Sequence, residues 1–170
     1  MIVSELGQYI QDKIVAKFGE GTSKLEIHYD FPVLIVSKSL VYDLLDFLKN
    51  DESLAFNYLT TMCGAHYPNA HTEMEFGLMY QLHNFENNNR VRIKVFMPKS
   101  DLNMKSMTPL WPAANWMERE AYDFYGFIFS GHPNLKRILN MDDMNYHPMR
   151  KEYPLEDATR HDKEDKYFGR

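Results

Sequence analysis

Two alternating apolar segments in the middle of the chain constrain its fold more than any other feature. Every second residue from Met74 to Leu82 is apolar, and Val91, Ile93 and Val95 follow the same period. A period of two is that of a half-buried β-strand, whose side chains point alternately to opposite faces of a sheet. The connection NFENNNR between them is polar and rich in Asn, which suits a turn. The sequence therefore predicts a hairpin here.

Three helices are predicted around this hairpin. Apolar residues recur at helical spacing in the first two, which are expected to end at Gly19 and to begin at Ser39 as N-cap. These apolar residues are Ile2, Leu6, Ile10, Ile14 and Phe18, and then Leu40, Leu44, Leu45 and Leu48. The third helix is expected from about Ala113 to Tyr125, closed by Gly126.

Further short strands complete the predicted fold. They are expected at residues 25–30, 33–36, 56–62 and 127–129, with a proline-flanked loop from Pro98 through Pro112. The order α-β-β-α-β-β-β-α predicts an α+β two-layer sandwich, a mostly antiparallel sheet with its helices on one face. We expect this domain to occupy residues 1–140.

Composition excludes several classes of function. A net charge of −5 leaves no excess of Lys and Arg to neutralise phosphates, which argues against nucleic acid as a partner. The single cysteine, Cys63, excludes an internal disulfide and any iron–sulfur cluster held by four cysteines of this chain. No apolar run approaches the length of a membrane span, and the first residues do not read as a secretory signal. Membrane association is therefore expected only through a partner.

Polar residues are densest between residues 109 and 155. Glu118-Arg119-Glu120 is followed by Asp123, and Gly131-His132-Pro133 leads to Lys136-Arg137-Ile138-Leu139. No known cofactor cradle or nucleophile spacing runs through them. A segment so densely polar, without a reaction centre, indicates a surface that another protein contacts.

This stretch resembles the small 30 kDa subunit family of the proton-pumping NADH:quinone oxidoreductases, respiratory complex I. The family signature is filled by Glu118, Arg119, Glu120, Asp123, Phe124, Tyr125, His132, Lys136, Ile138 and Leu139. The tail HPMRKEYPL is similar to the family's H/G-P-L-R-K-D-Y-P-L. In FNYLTTMCGAHYP, His66 stands where the family more often has Asp, which leaves open any role carried over from that acid.

The resemblance implies a scaffold subunit of the hydrophilic arm without catalytic residues of its own. Such a subunit packs against the larger quinone-end subunit, which is related to the hydrogenase large subunit, on the cytoplasmic side of the cell membrane. No cofactor is expected on this chain, since FMN and the iron–sulfur clusters belong to partner subunits that pass electrons from NADH to quinone. The residues expected to contact a partner are Glu118, Arg119, Glu120, Asp123, Gly126, His132, Pro133, Lys136, Arg137, Arg150, Lys151, Tyr153 and Pro154.

Residue patterns alone leave the roles of these groups open. Arg119 and Asp123 are an i, i+4 pair on the predicted helix, in the weaker orientation in which the acid follows the base. Glu118 and Glu120 project about 200° apart, at 100° per residue of a helix, so they cannot act together on one bond. Each acid either satisfies groups inside the chain or meets a cation of a partner. His132 is expected in a turn, where it either makes structural hydrogen bonds or relays protons.

The aromatic residues near the signature are expected to lie mostly in the core. They are Trp111, Trp116, Tyr122 and Phe124.

From Met141 the pattern changes. Charges of both signs dominate, and Pro148 and Pro154 prevent a continuous helix. We therefore expect residues 141–170 to form an extended C-terminal tail that wraps a partner subunit.

Two alternatives remain open. Related subunits serve in membrane-bound hydrogenases and in complexes with other electron donors. A free-standing metal enzyme is the other alternative, built on Cys63, His66 and His71 with His28 or His83, although Cys-x-x-His with one further His is incomplete for zinc.

Overall fold

Helices and strands form close to where the sequence patterns predict them. The structure, a computed structural model, describes residues 3–153. The helices are α1 (Val3–Phe18), α2 (Val41–Asn50) and α3 (Ala114–Tyr125). The strands are β1 (Ser23–His28), β2 (Phe31–Val36), β3 (Tyr58–His66), β4 (Phe76–Asn84), β5 (Asn89–Met97), β6 (Asn103–Lys105) and β7 (Ile128–Ser130). A short 3-10 helix, Thr72–Met74, precedes β4.

Five of the strands form one mixed sheet in the order β1-β2-β5-β4-β3. Adjacent strands in this sheet are antiparallel, except β2 and β5, which are parallel. The predicted hairpin is β4–β5, and Asn88 in its turn has a φ of 57°, a conformation that Asn tolerates better than most residues. Strands β6 and β7 form a separate parallel pair.

All three helices lie on one face of the sheet. That face presents Leu34, Tyr80 and Ile93, which are fully buried in the core. Helix α1 approaches β1 and β2 closely at Gly7, where a Cβ would lie 3.1 Å from the side chains of Leu25, Ile27 and Pro32. Helix α3 packs across β3, and α2 joins α1 through Phe18 and Phe47, whose rings meet edge to face. The predicted α+β sandwich with helices on one face is confirmed.

Some local predictions are wrong. Ser39 is not the N-cap of α2, because Leu40 holds that position without a side-chain cap and the Ser39 hydroxyl contacts that of Ser37. Strand β6 lies inside the predicted loop, and β3 runs on to His66. Strand β4 is buried along nearly its whole length and on both faces, although its alternation predicts one open face.

Within residues 3–153, no helix is both long and apolar enough to cross a bilayer.

The contact between β3 and α3 generates a first prediction. A Cβ on Gly64 would lie 2.7 Å from a ring carbon of Tyr125 and 2.8 Å from one of Phe127. We expect Gly64→Ala to destabilise the fold by about 1–3 kcal/mol because these rings must move away from the sheet. Gly77→Ala on the opposite face is the control, since its Cβ would meet Phe96 and Tyr67 at 3.3 Å. Equal urea midpoints for the two variants would contradict the prediction.

Candidate functional site

Helix α3 sends the signature side chains in different directions. Glu118 and Asp123 are fully buried and Arg119 is 9% exposed, whereas Glu120 is exposed to solvent. The two glutamates thus lie on opposite sides of the helix, as their spacing predicts. Since they do not converge, they form no carboxylate pair for acid–base chemistry.

Glu118 fastens α3 to the segment that follows β6. One carboxyl oxygen accepts the backbone N–H of Met107 at 2.6 Å, and the other accepts the hydroxyl of Ser106 at 2.7 Å. No Lys or Arg among residues 3–153 pairs with this carboxyl. Burial raises the pKa of Glu118 to about 7, although the two hydrogen bonds oppose the shift. The Glu118 side chain is therefore a buried acid that titrates near neutral pH.

Arg119 and Asp123 hold the chain that returns over α3. Arg119 donates from Nε to the carbonyl of Lys136 (3.0 Å) and from Nη2 to that of Arg137 (2.8 Å). The Asp123 carboxylate accepts the next three backbone N–H groups, those of Ile138, Leu139 and Asn140, at 2.8–3.1 Å. The two side chains therefore bind opposite ends of the same short stretch, residues 136–140.

Asp123 forms its ion pair with Arg137, not with Arg119 of the i, i+4 pair. Asp123 pairs with Arg137 at 2.6 Å, and the Asn140 amide donates to the same carboxylate. Burial by itself would raise the pKa of Asp123. The N–H donors of Asn140 and Leu139, together with Arg137, outweigh burial and hold that pKa well below its usual range. Asp123 is therefore ionised in the folded protein near neutral pH.

The C-terminal end of α3 is capped by the segment of residues 137–150. The four last carbonyls of a helix have no partner within the helix. Here the carbonyl of Tyr122 accepts the N–H of Gly126. The carbonyl of Asp123 accepts hydrogen bonds from Arg137 Nη1 and His147 Nδ1. The carbonyl of Phe124 accepts the N–H of Met149, and that of Tyr125 accepts from Arg150 Nε. Every one of these carbonyls is thus satisfied.

The remaining residues of the expected contact do not gather at this cap, since His132 reaches the first turn of α3 and Lys151 reaches His66 on β3. Nε2 of His132 donates to the carbonyl of Asn115 at 3.1 Å, so His132 makes structural hydrogen bonds. The backbone N–H of Lys151 donates to Nδ1 of His66, whose Nε2 lies 3.2 Å from Glu75. Pro133, Lys136 and Tyr153 are exposed, and Pro154 lies outside the described residues. Contact of any of these residues with a partner stays a prediction.

The geometry does not supply the ligand set of the metal-enzyme alternative. Cys63 and His66 lie on opposite faces of the sheet, because their strand pairs with β4 at Met79 and Phe76 respectively. Both ring nitrogens of His66 already have partners. In the part of the chain that the structure describes, no three His, Cys, Asp or Glu side chains lie close enough to hold a metal ion.

Sequence reasoning missed several participants in this site. The Ser106 hydroxyl and the Asn140 amide bind Glu118 and Asp123 from loops, where no periodicity marks them. Trp116, expected mostly in the core, is 62% exposed and lies over the Arg119 guanidinium at 5.1 Å. Trp116 lies four residues before Glu120, so helical spacing places both side chains on the same, exposed side of α3. This spacing could have indicated that Trp116 is exposed.

The cap at Gly126 generates a second prediction. Gly126 has a φ of 83°, and a Cβ there would lie 2.5 Å from Nη2 of Arg150 and 2.7 Å from Nε2 of His147. We expect Gly126→Ala to cost about 1–2 kcal/mol in backbone strain and about 2 kcal/mol more in lost hydrogen bonds. Gly131→Ala is the matched control, since Gly131 has a φ of 84° and no atom within 4 Å of its Cβ position. Equal losses in thermal unfolding would refute the role of Gly126 in the cap.

The buried Glu118 carboxyl generates a third prediction. Its folded pKa of about 7 lies above the usual value of 4.5, so the folded state binds the proton more tightly. The stabilising contribution is complete below about pH 4.5 and is lost as pH rises through 7, a change of about 3 kcal/mol. We expect Glu118→Gln to remove this part of the pH dependence of the free energy of unfolding, whereas Glu120→Gln, on the exposed side, leaves it. If the free energy of unfolding of Glu118→Gln depended on pH as steeply as that of the wild type, the pKa of the Glu118 carboxyl would not be raised by burial.

Three comparisons with known proteins bear on this site. The model of the family described as the respiratory-chain NADH dehydrogenase 30 kDa subunit matches residues 34–159. An NADH-quinone oxidoreductase subunit of Methylobacterium sp. (strain 4-46) is 36% identical over 87% of this chain and 67% of its own length. The same subunit of Azorhizobium caulinodans is 40% identical over 76% of this chain and 60% of its own length. The chain thus spans about two thirds of the length of these curated relatives.

Solved structures share the fold. A trypsin-resistant fragment (1–134) of Nqo5 superposes with a TM-score of 0.63 at 22% identity, over 79% of this chain and 100% of that one. A chain of the membrane-bound sulfane sulfur reductase, an archaeal respiratory membrane complex, superposes with a TM-score of 0.73 at 22% identity, over 88% and 86%. With the family model covering β3, β4, β5 and the signature residues of α3, the chain belongs to the family of the 30 kDa subunit of respiratory-chain NADH dehydrogenase.

Proposed function

We propose that the chain is a non-catalytic scaffold subunit in the hydrophilic arm of a proton-translocating NADH:quinone oxidoreductase. Electrons then pass from NADH to quinone through FMN and iron–sulfur clusters held by other subunits. Family membership and the curated relatives, which are named as subunits of that enzyme, support the assignment. The hydrogen bonds of Glu118, Arg119 and Asp123 are made to groups of this chain, which supports a structural role for these signature side chains.

One observation carries the scaffold role: an exposed apolar patch beside the buried polar network. The patch consists of Trp116, Leu139 and Met141, which are 62%, 64% and 69% exposed. They lie on the α3 side of the molecule, since Arg119, which contacts the Trp116 ring, and Asp123 both bind the stretch that leads to Leu139 and Met141. Exposed tryptophans are enriched among the residues that dominate protein–protein affinity. Glu120, exposed on the same helix, adds a carboxylate for a cation of the partner.

The partner that fits this proposal is the larger quinone-end subunit of the arm, which resembles the hydrogenase large subunit. Residues 141–153 already lie against α3 through Arg137, His147 and Arg150. The remainder of the predicted tail, 154–170, lies outside the described residues, and its path over a neighbour belongs to the proposal. The chain would then sit at the cytoplasmic side of the membrane through its partners.

The second candidate is the equivalent subunit of a complex with another electron donor. The fold shared with the sulfane sulfur reductase favours keeping this alternative, since the architecture itself does not distinguish donors. Co-purification from native membranes with the tagged chain decides between them. Flavin and iron–sulfur subunits with NADH:quinone activity support the first proposal, and a nickel or sulfur-reducing subunit without that activity supports the second. A chain that purifies alone overturns both.

The exposed patch generates a fourth prediction. We expect Trp116→Ala to reduce recovery of the larger subunit at least tenfold, because loss of a central tryptophan anchor costs about 2 kcal/mol or more of binding free energy. Tyr29→Ala is the control, since Tyr29 is also aromatic and is 97% exposed in the β1–β2 turn. Recovery is measured by quantitative mass spectrometry after a mild detergent pull-down. Equal recovery with both variants would place the contact elsewhere.

A further inference from the structure

The face of the sheet that carries no helix has an unusual charge. Arg90, Arg92 and Lys94 alternate along β5 and therefore project from this one face, where together they form a basic stripe. Among residues 3–153, no carboxylate forms an ion pair with any of the three. The whole chain carries a net charge of −5, so the charge of the basic stripe is opposite in sign to that of the chain.

Arg92 is held in place without a carboxylate. Its Nε donates to Oε1 of Gln81 at 3.0 Å, and its guanidinium lies 5.2 Å from the centre of the Phe31 ring. These contacts fix the plane of the guanidinium and leave both terminal nitrogens without a partner among the described residues. A guanidinium fixed in this way loses little conformational entropy when it binds a carboxylate through both terminal nitrogens.

An apolar dent adjoins the basic stripe. A cavity of about 60 Å³ opens over Gly77, between the rings of Tyr67 and Phe96, with Cys63 and Lys94 at its sides. The missing side chain of Gly77 makes this space, because a Cβ there would meet both rings at 3.3 Å. The volume is about twice that of one water molecule in the liquid, and the lining is mostly apolar, which suits a small aliphatic side chain.

We propose that this helix-free face is a second contact within the assembly, which accepts an acidic segment of a neighbouring subunit. Carboxylates of that segment meet Arg92 and Lys94, and an aliphatic side chain enters the dent over Gly77. A second copy of this chain does not fit, since two basic stripes would repel each other. The inference rests on the proposed function only in placing the chain within an assembly. With the patch on α3 it makes the chain a bridge between two neighbours.

Carbodiimide cross-linking of the native complex tests this proposal without any substitution. The reagent joins an amine to a carboxylate in direct contact, so we expect Lys94 to be joined to an Asp or Glu of another subunit. The pair Lys99–Glu152, 2.7 Å apart, is the internal positive control. Recovery of the control with Lys94 unlinked, or linked to this chain or a second copy of it, would overturn the proposal.

Alkylation of Cys63 supplies an independent readout. It is the only cysteine of the chain and lines the dent, so N-ethylmaleimide should modify it slowly in the wild-type complex. We expect at least tenfold faster modification in the Arg92→Glu, Lys94→Glu complex and no change with Lys94→Arg, which keeps the charge and leaves Arg92 in place. Burial and Glu120 raise the pKa of Cys63 while Arg92 lowers it, so loss of Arg92 alone would slow the reaction. Equal rates in all three complexes would also overturn the proposal.

This pair of experiments separates the two proposals. If the tagged chain still recovers its larger partner through Trp116 while Lys94 stays unlinked and Cys63 reacts at the same rate, the scaffold function stands and the second contact fails. If the chain is recovered without partners, the proposed function itself fails.

Discussion

The segment that follows β7, from Arg137 to Tyr146, depends on the buried carboxylate of Asp123. A buried charge deprived of its partners destabilises a protein by about 3–5 kcal/mol, so residues 137–140 must stay where their N–H groups and Arg137 reach it. Arg137 in turn donates to the carbonyls of Met144 and Tyr146, so these two residues are also held in position relative to Asp123. The path of the chain from Arg137 to Tyr146 follows from this one acid.

The density of polar signature residues is explained by backbone satisfaction. Arg119 binds two carbonyls and Asp123 binds three N–H groups of one returning stretch, while His147 and Arg150 bind the end of the helix. Cations near a helix C-terminus also interact favourably with the helix dipole. The sequence shows the residues but not these pairings, because the partners are 14 to 25 positions apart and joined by loops without periodicity. Side-chain direction on α3, by contrast, was predictable from helical spacing.

Elements with a strong local pattern were predictable, and those stabilised by distant partners were not. Helix α3 and its Gly126 end follow from spacing and a left-handed glycine. Strand β6 has three residues and pairs with β7 more than twenty positions later, so nothing local marks it. The burial of Gln81 also depends on a partner outside its own strand, since Arg92 of β5 donates to its amide oxygen. His66 likewise has distant partners, since its Nδ1 accepts the backbone N–H of Lys151 and its Nε2 lies 3.2 Å from Glu75.

The two exposed surfaces have different physical origins, and this difference bears on function. On the α3 side, the buried network leaves Trp116, Leu139 and Met141 outside because the polar atoms beneath them are already satisfied. On the opposite side none of the described helices packs on the sheet, and alternation along β5 places Arg90, Arg92 and Lys94 in a row. An apolar patch gives affinity through burial, whereas a charged row gives register and rejects wrong partners. A chain that places one on each side of a rigid sheet is suited to fix the distance and orientation between two neighbours.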